Sequence, residues 1–174
     1  MSLADAYSQK PISGAIVTFS DGGKQGSFSE PTAVTDSTGL ASTSYTLPKK
    51  AQTVSVTITT PGAAVVKTNE TSVPGPAASV VVAAGNFQTG PTSTPLPNQL
   101  VVKVRDQYVN GVPGISVTFS DAGADGSFFS NPVISDASGV ARVTYTTPSI
   151  AGTFKVKAAV PKITSTATFT ETVQ

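Results

Sequence analysis

Apolar and polar residues alternate along most of this chain. Leu100, Val102 and Val104 take turns with Val101, Lys103 and Arg105. Ile115, Val117 and Phe119 point one way, and Ser116, Thr118 and Ser120 the other. The same period of two runs through Ala141, Val143 and Tyr145, through Phe154, Val156 and Ala158, and through Ala167 and Phe169. Such spacing predicts half-buried strands with one wet face, the habit of antiparallel sheets. Ala78–Val82 reads as a further strand, and Ser127–Ile134, broken by Pro132, as a short irregular one at an edge. Between them lie dense turn signals: Asn110-Gly111-Val112-Pro113-Gly114, Asp121–Gly126, Ser135–Gly139 and Thr147–Gly152.

The pattern then repeats at an offset of 100 residues. Val17-Thr18-Phe19-Ser20-Asp21 recurs as Val117–Asp121, and Gly26-Ser27-Phe28 as Gly126–Phe128. Asp36, Gly39, Ala41, Tyr45, Pro48 and Val56 recur as Asp136, Gly139, Ala141, Tyr145, Pro148 and Val156. A self-match of this kind is one structural unit used twice. Seven strands in about 100 residues, with turns every 8–12, predict an all-β fold of tandem immunoglobulin-like antiparallel β-sandwiches. The expected boundaries are 1–73 for a first domain, 74–76 for a linker stiffened by Pro74 and Pro76, and 77–174 for a second. The linker predicts a semi-rigid joint and an elongated pair.

The first copy reads as incomplete. Asp5-Ala6-Tyr7 aligns with Asp106-Gln107-Tyr108, and Met1-Ser2-Leu3 ahead of it reads as a cloning start, set aside from fold reasoning. Two strands, matching residues 77–105, are then missing. In the second copy they offer Val80, Val82, Leu100, Val102 and Val104 to the core, roughly 7–15 kcal/mol of gross burial. Set against a net domain stability of about 5–15 kcal/mol, a lone first domain is expected to be marginal. The chain accordingly reads as a length of a longer array, with a homodimer through the incomplete domain as one way to cover it.

Composition narrows the function. Apolar content is 39% and charged content 12%, with 11 Lys and Arg against 10 Asp and Glu. That balance offers no basic face for nucleic acid and no polybasic membrane patch. No apolar run approaches the ~20 residues of a bilayer span. Cysteine and histidine are absent, which removes disulfides, thiolate ligands, the Cys nucleophile and the commonest general base. No cofactor, no metal site and no catalytic residue is expected.

Gly111-Val112-Pro113-Gly114-Ile115-Ser116-Val117-Thr118-Phe119 resembles the bacterial immunoglobulin-like group 1 domain of invasin- and intimin-type adhesins. So do Ser135-Asp136-Ala137-Ser138-Gly139-Val140-Ala141 and Gly152-Thr153-Phe154-Lys155-Val156-Lys157-Ala158. The resemblance covers the second copy and most of the first, which departs at Pro11-Ile12-Ser13-Gly14-Ala15. It implies extracellular or cell-surface bacterial modules, non-catalytic and set end to end. These motifs are structural and bring no active site with them.

Asp36 with Gly39, and Asp136 with Gly139, read as Asx turns rather than calcium loops, because each loop offers one carboxylate where calcium wants 6–8 oxygens. Asp121 and Asp125 could form a carboxylate pair, but Gln25 replaces the second in the first copy. Tyr45 and Tyr145 sit at inward positions, their hydroxyls expected to reach backbone at a sheet edge. Phe87, Asp121, Asp125, Phe129 and Ile150 are the candidate binding-loop residues, in or beside the loops 84–98, 121–126 and 147–152. The expected function is spacing, display or cell adhesion, with an unknown protein or glycan as ligand. The alternative is an accessory carbohydrate-binding module of a secreted hydrolase, weakened by the absence of Trp and a count of only four Tyr.

Overall fold

In the computed structural model, which describes residues 1–174, the alternating segments become strands and pair antiparallel with one exception. The chain divides into two units, Met1–Val73 and Pro74–Gln174. No helix is long and apolar enough to cross a membrane.

The first unit holds β1 (Ile16–Ser20), β2 (Ser27–Phe28), β3 (Thr32–Val34), β4 (Tyr45–Thr46), β5 (Gln52–Thr59) and β6 (Val66–Ser72). Their main sheet runs β3-β1-β5-β6, and β2 pairs with β4 in a separate ribbon. Alternation buries Val17 and Phe19 on β1, and Val54 and Val56 on β5. Val17, Phe19 and Ala41 form a small core with Phe28, Ala33 and Ile58 packed against it.

The second unit holds β7 (Ser79–Ala84), β8 (Thr89–Gly90), β9 (Leu100–Arg105), β10 (Ser116–Ser120), β11 (Ser127–Phe128), β12 (Val133–Ile134), β13 (Val140–Val143), β14 (Tyr145–Thr146), β15 (Gly152–Ala159) and β16 (Ala167–Val173). One sheet runs β12-β10-β15-β16-β8 and a second β13-β9-β7, with β11 and β14 as a ribbon. Leu100, Val102 and Val104 from one sheet and Val117, Phe119, Val156, Ala158 and Phe169 from the other share one core. This is the two-sheet sandwich expected from the alternation.

Three departures from the sequence reading have physical causes. Ser127–Ile134 is not one strand but two, β11 and β12, in different sheets. Between them the Asn131 side chain replaces a partner strand: its Oδ1 accepts from Phe119 N–H at 2.9 Å, and its Nδ2 donates to Phe119 O at 2.7 Å. Secondly, the Tyr145 hydroxyl meets a carboxylate, Asp121 Oδ2 at 3.1 Å, rather than backbone, as does the Tyr45 hydroxyl with Asp21. Thirdly, Met1–Leu3 does take part in the fold. Ser2 bridges Leu40, and Met1 and Ala41 exchange backbone hydrogen bonds at 3.0 Å.

The duplicated sequence also shows what a strand requires. Val140–Val143 is a strand because β9 pairs with it, Lys103 against Val140 through Leu100 against Val143. The equivalent Leu40–Thr43 lacks that neighbour beyond the Ser2 bridge and is not a strand. Backbone N–H and C=O groups need partners, so propensity alone does not hold the segment extended. The first unit also has no counterpart of β7 or β8, and β6 ends its sheet where β16 is covered by β8.

Candidate functional site

Three loops of the second unit converge on one short segment, Tyr145–Thr147. Tyr145 is fully buried, its ring stacked on Phe128 at 4.9 Å between centroids. Its hydroxyl donates to Asp121 at the start of the 121–126 turn. Burial, with the Asp121 charge behind it, pushes the Tyr145 phenol well above its usual range. Asp121 has both oxygens engaged: Oδ1 accepts from Gly123 N–H at 3.2 Å, and Oδ2 from Gly126 N–H at 2.9 Å and the tyrosine. Gly126 is required because a Cβ there would strike the Tyr145 ring, 2.6 Å from Cε2. The first unit builds the same device from Asp21, Gly23, Gly26 and Tyr45.

Thr147 joins the other two loops. Its hydroxyl donates to Pro91 O at 2.6 Å and accepts from Thr94 N–H at 3.0 Å, and its N–H donates to Thr94 O. Leu96 N–H reaches Tyr145 O, and Ser93 N–H reaches Pro148 O. The 84–98 segment is thereby stitched to 145–148 and, through Tyr145, to the 121–126 turn. The first copy has Leu47 in place of Thr147, so this stitching belongs to the second unit alone.

A second fastening lies at β8. Gln88 N–H donates to Glu171 Oε2 at 2.7 Å, and Gln88 O accepts from Thr172 N–H. The Gln88 side chain donates to Gly85 O and Asn98 O and accepts from Asn98 N–H, closing the segment on itself. Glu171 is fully buried and its other oxygen has no partner. Burial pushes its carboxyl up to about 7, against the Gln88 hydrogen bond that pulls it down.

The five candidate residues divide by role. Asp121 is absorbed by the turn and by Tyr145. Asp125 sits exposed beside it with a positive φ of 68°, the conformation Gln25 adopts in the first unit. Phe87 is 79% exposed and also at a positive φ, 60°, an uncommon backbone state for a bulky residue. Its N–H is held by Thr170 O and Asn86 Oδ1 at 3.1 and 3.0 Å. Phe129, 84% exposed, follows β11 and is fixed through its N–H to Thr144 O. Ile150 is 64% exposed in the 147–151 loop. Ring stacking in this unit links Phe119, Phe128, Phe169 and Tyr145, and leaves Phe87 and Phe129 to solvent.

The remaining recurring acids also serve turns. Asp36 Oδ1 accepts from Thr38 N–H, Thr38 Oγ1 and Leu40 N–H. Asp136 repeats this with Ser138 and Val140 and adds an ion pair with Arg142 at 2.9 Å. The Ser138 hydroxyl foremost, then the Val140 N–H and Arg142, hold the Asp136 carboxyl far below the usual range. Sequence reasoning missed Gln88, Thr147 and Glu171. Thr147 could have been found as a departure from the repeat at an inward position, and Glu171 as an acid on the buried side of a strand.

Residues 96–172 match the family model described as bacterial Ig-like domain (group 1). No curated protein sequence matches the chain. Among solved structures, InvD of Yersinia pseudotuberculosis is similar with a TM-score of 0.67 and 16% identity, over 99% of this chain and 50% of that one. The chain thus spans half the length of InvD. The D0-D1 domain of intimin has a TM-score of 0.41 at 18% identity, over 98% of this chain and 86% of that one. The Escherichia coli adhesin FdeC has a TM-score of 0.45 at 22% identity, over 98% of this chain and 56% of that one. The likeness to InvD shows the fold.

Proposed function

We propose, from the match of residues 96–172 to the bacterial Ig-like domain (group 1) model, that the chain is a non-catalytic segment of a bacterial surface or secreted protein that spaces and displays. One observation carries the reading. The carboxylates and tyrosine hydroxyls that recur at the 100-residue offset are occupied by the fold itself. Asp21 and Asp121 hold Gly26, Gly126 and the two tyrosine hydroxyls. Asp36 and Asp136 close turns. Thr35 and Ser135 accept from Ala15 and Ile115 N–H. A group so engaged would have to leave its partners before it could move a proton or attack a substrate.

What remains for recognition is the exposed loop set of the second unit, above all Phe87. The full chain should be screened on a glycan array and against a broad panel of hydrolase substrates. Silence in both supports spacing. Array binding lost in Phe87→Ala supports adhesion through this end, and binding untouched by that substitution would favour the accessory carbohydrate-binding reading. Turnover of any substrate overturns the proposal.

A further inference from the structure

Glu171 is a costly residue for this position. It lies on β16 with its side chain in the sandwich, opposite Phe154 of β15, and is completely buried. Only Oε2 has a partner, the Gln88 N–H at 2.7 Å, and Oε1 has none. An ionised carboxylate with a single hydrogen bond and no counter-charge is strongly disfavoured in such surroundings.

The groups around it do not relieve this. β7 and β8 bring no titratable side chain, and the lysines of β15, Lys155 and Lys157, occupy its exposed positions. From β14 comes the Tyr145 phenol, a neutral group whose own partner is the Asp121 carboxylate. Burial accordingly dominates and raises the Glu171 carboxyl to about 7.

The one partner Glu171 has is the hub of the 85–98 segment. Gln88 closes that segment through Gly85 and Asn98 and ties it to β16 through Thr172. Phe87 stands next to it. The first unit supplies an internal contrast: Glu70 occupies the equivalent place on β6, opposite Val54, but with no β8 beside it and only half-buried.

We propose that Glu171 is a proton-operated latch on the 85–98 segment: protonated, it stays packed beneath Gln88 and holds β8 against β16; ionised, it draws in water and lets Gln88, and with it Phe87, come away. In the opened state the carboxyl regains its ordinary affinity for protons. The opened population should therefore rise by up to roughly tenfold per pH unit from the ordinary carboxyl range to about 7, and level off above it.

The test is NMR on the full chain between pH 4 and 9. Carbon detection of the glutamate carboxyls should show Glu171 titrating near 7. Amide exchange at Gln88 and Thr172, corrected for base catalysis, should accelerate up to pH 7 and then stop responding. In Glu171→Gln, which keeps an acceptor for Gln88, that pH response should vanish. An ordinary Glu171 titration in the parent chain would by itself overturn the latch, as would an unchanged exchange profile in Glu171→Gln.

Discussion

Gly126→Ala probes the Asp121–Tyr145 device with a single methyl group. Gly126 has no positive φ, so alanine there costs nothing in backbone conformation. The whole cost is steric, because the new Cβ overlaps Tyr145 Oη, Cζ and Cε2. Tyr145 cannot yield cheaply. It is fully buried, stacked on Phe128 and tied to Asp121. Overpacking of this kind costs about 1–3 kcal/mol, and the rigid neighbour places this case near about 3. At about 4–8 °C per kcal/mol for a domain of this size, the transition of the second unit should fall by roughly 12–24 °C in calorimetry. Gly26→Ala does the same to the first unit, against Tyr45. The two substitutions should move different transitions of one thermogram, the Gly26 one being the lower, since the first unit lacks counterparts of β7 and β8. Gly114→Ala is the control: φ is +75° with nothing within 4 Å, so it costs only the left-handed backbone, about 1–2 kcal/mol. A Gly126→Ala chain within about 0.5 kcal/mol of the parent would refute the steric reasoning.

Further outcomes follow from the same contacts. Thr147→Val removes the hydroxyl that serves Pro91 and Thr94, leaves the Pro91 carbonyl and the Thr94 N–H without that partner while Thr94 O keeps the backbone N–H of residue 147, and should cost about 1–3 kcal/mol by urea denaturation. Glu171 has a folded value raised from 4.5 to about 7, so its contribution is complete below about 4.5 and lost as pH rises through 7, at most about 3 kcal/mol. Asp136 runs the opposite way: its carboxyl is depressed, so its contribution is present above 3.8 and lost as pH falls below it, and Asp136→Asn should flatten that acid limb in a pH series of melting curves. A homodimer pairing along the uncovered edge of β6 would raise the light-scattering mass toward twice that of the chain across micromolar concentrations, and a strict monomer there removes that expectation.

The strands were legible because burial imposes period two. Val17 and Phe19, Leu100 through Val104, and Val156 with Ala158 are inward where the alternation places them. Pairing was less legible. Leu40–Thr43 and Val140–Val143 read alike, yet only the one beside β9 is a strand. β8 was unreadable because two residues, Thr89 and Gly90, carry no period, and their place comes from hydrogen bonds to β16 eighty residues on. At the loop end, Phe87 and Ile150 are legible as apolar residues in loops, and Phe129 because adjacent Phe128 and Phe129 on a strand face opposite ways; all three are exposed. Asp121 was found as an acid in a turn, but its partner Tyr145 lies 24 positions away, so its engagement could not be read locally. Gln88 and Glu171 are a contact across 83 positions with no motif to announce it.

The account rests on these polar groups serving the fold rather than a reaction. The direct measurement is turnover by the intact chain across hydrolase substrates, in parallel with Asp121→Asn and Glu171→Gln. No turnover above buffer in any of the three is the predicted result. Turnover by the parent chain that disappears in either variant, with its melting transition preserved, would contradict the account.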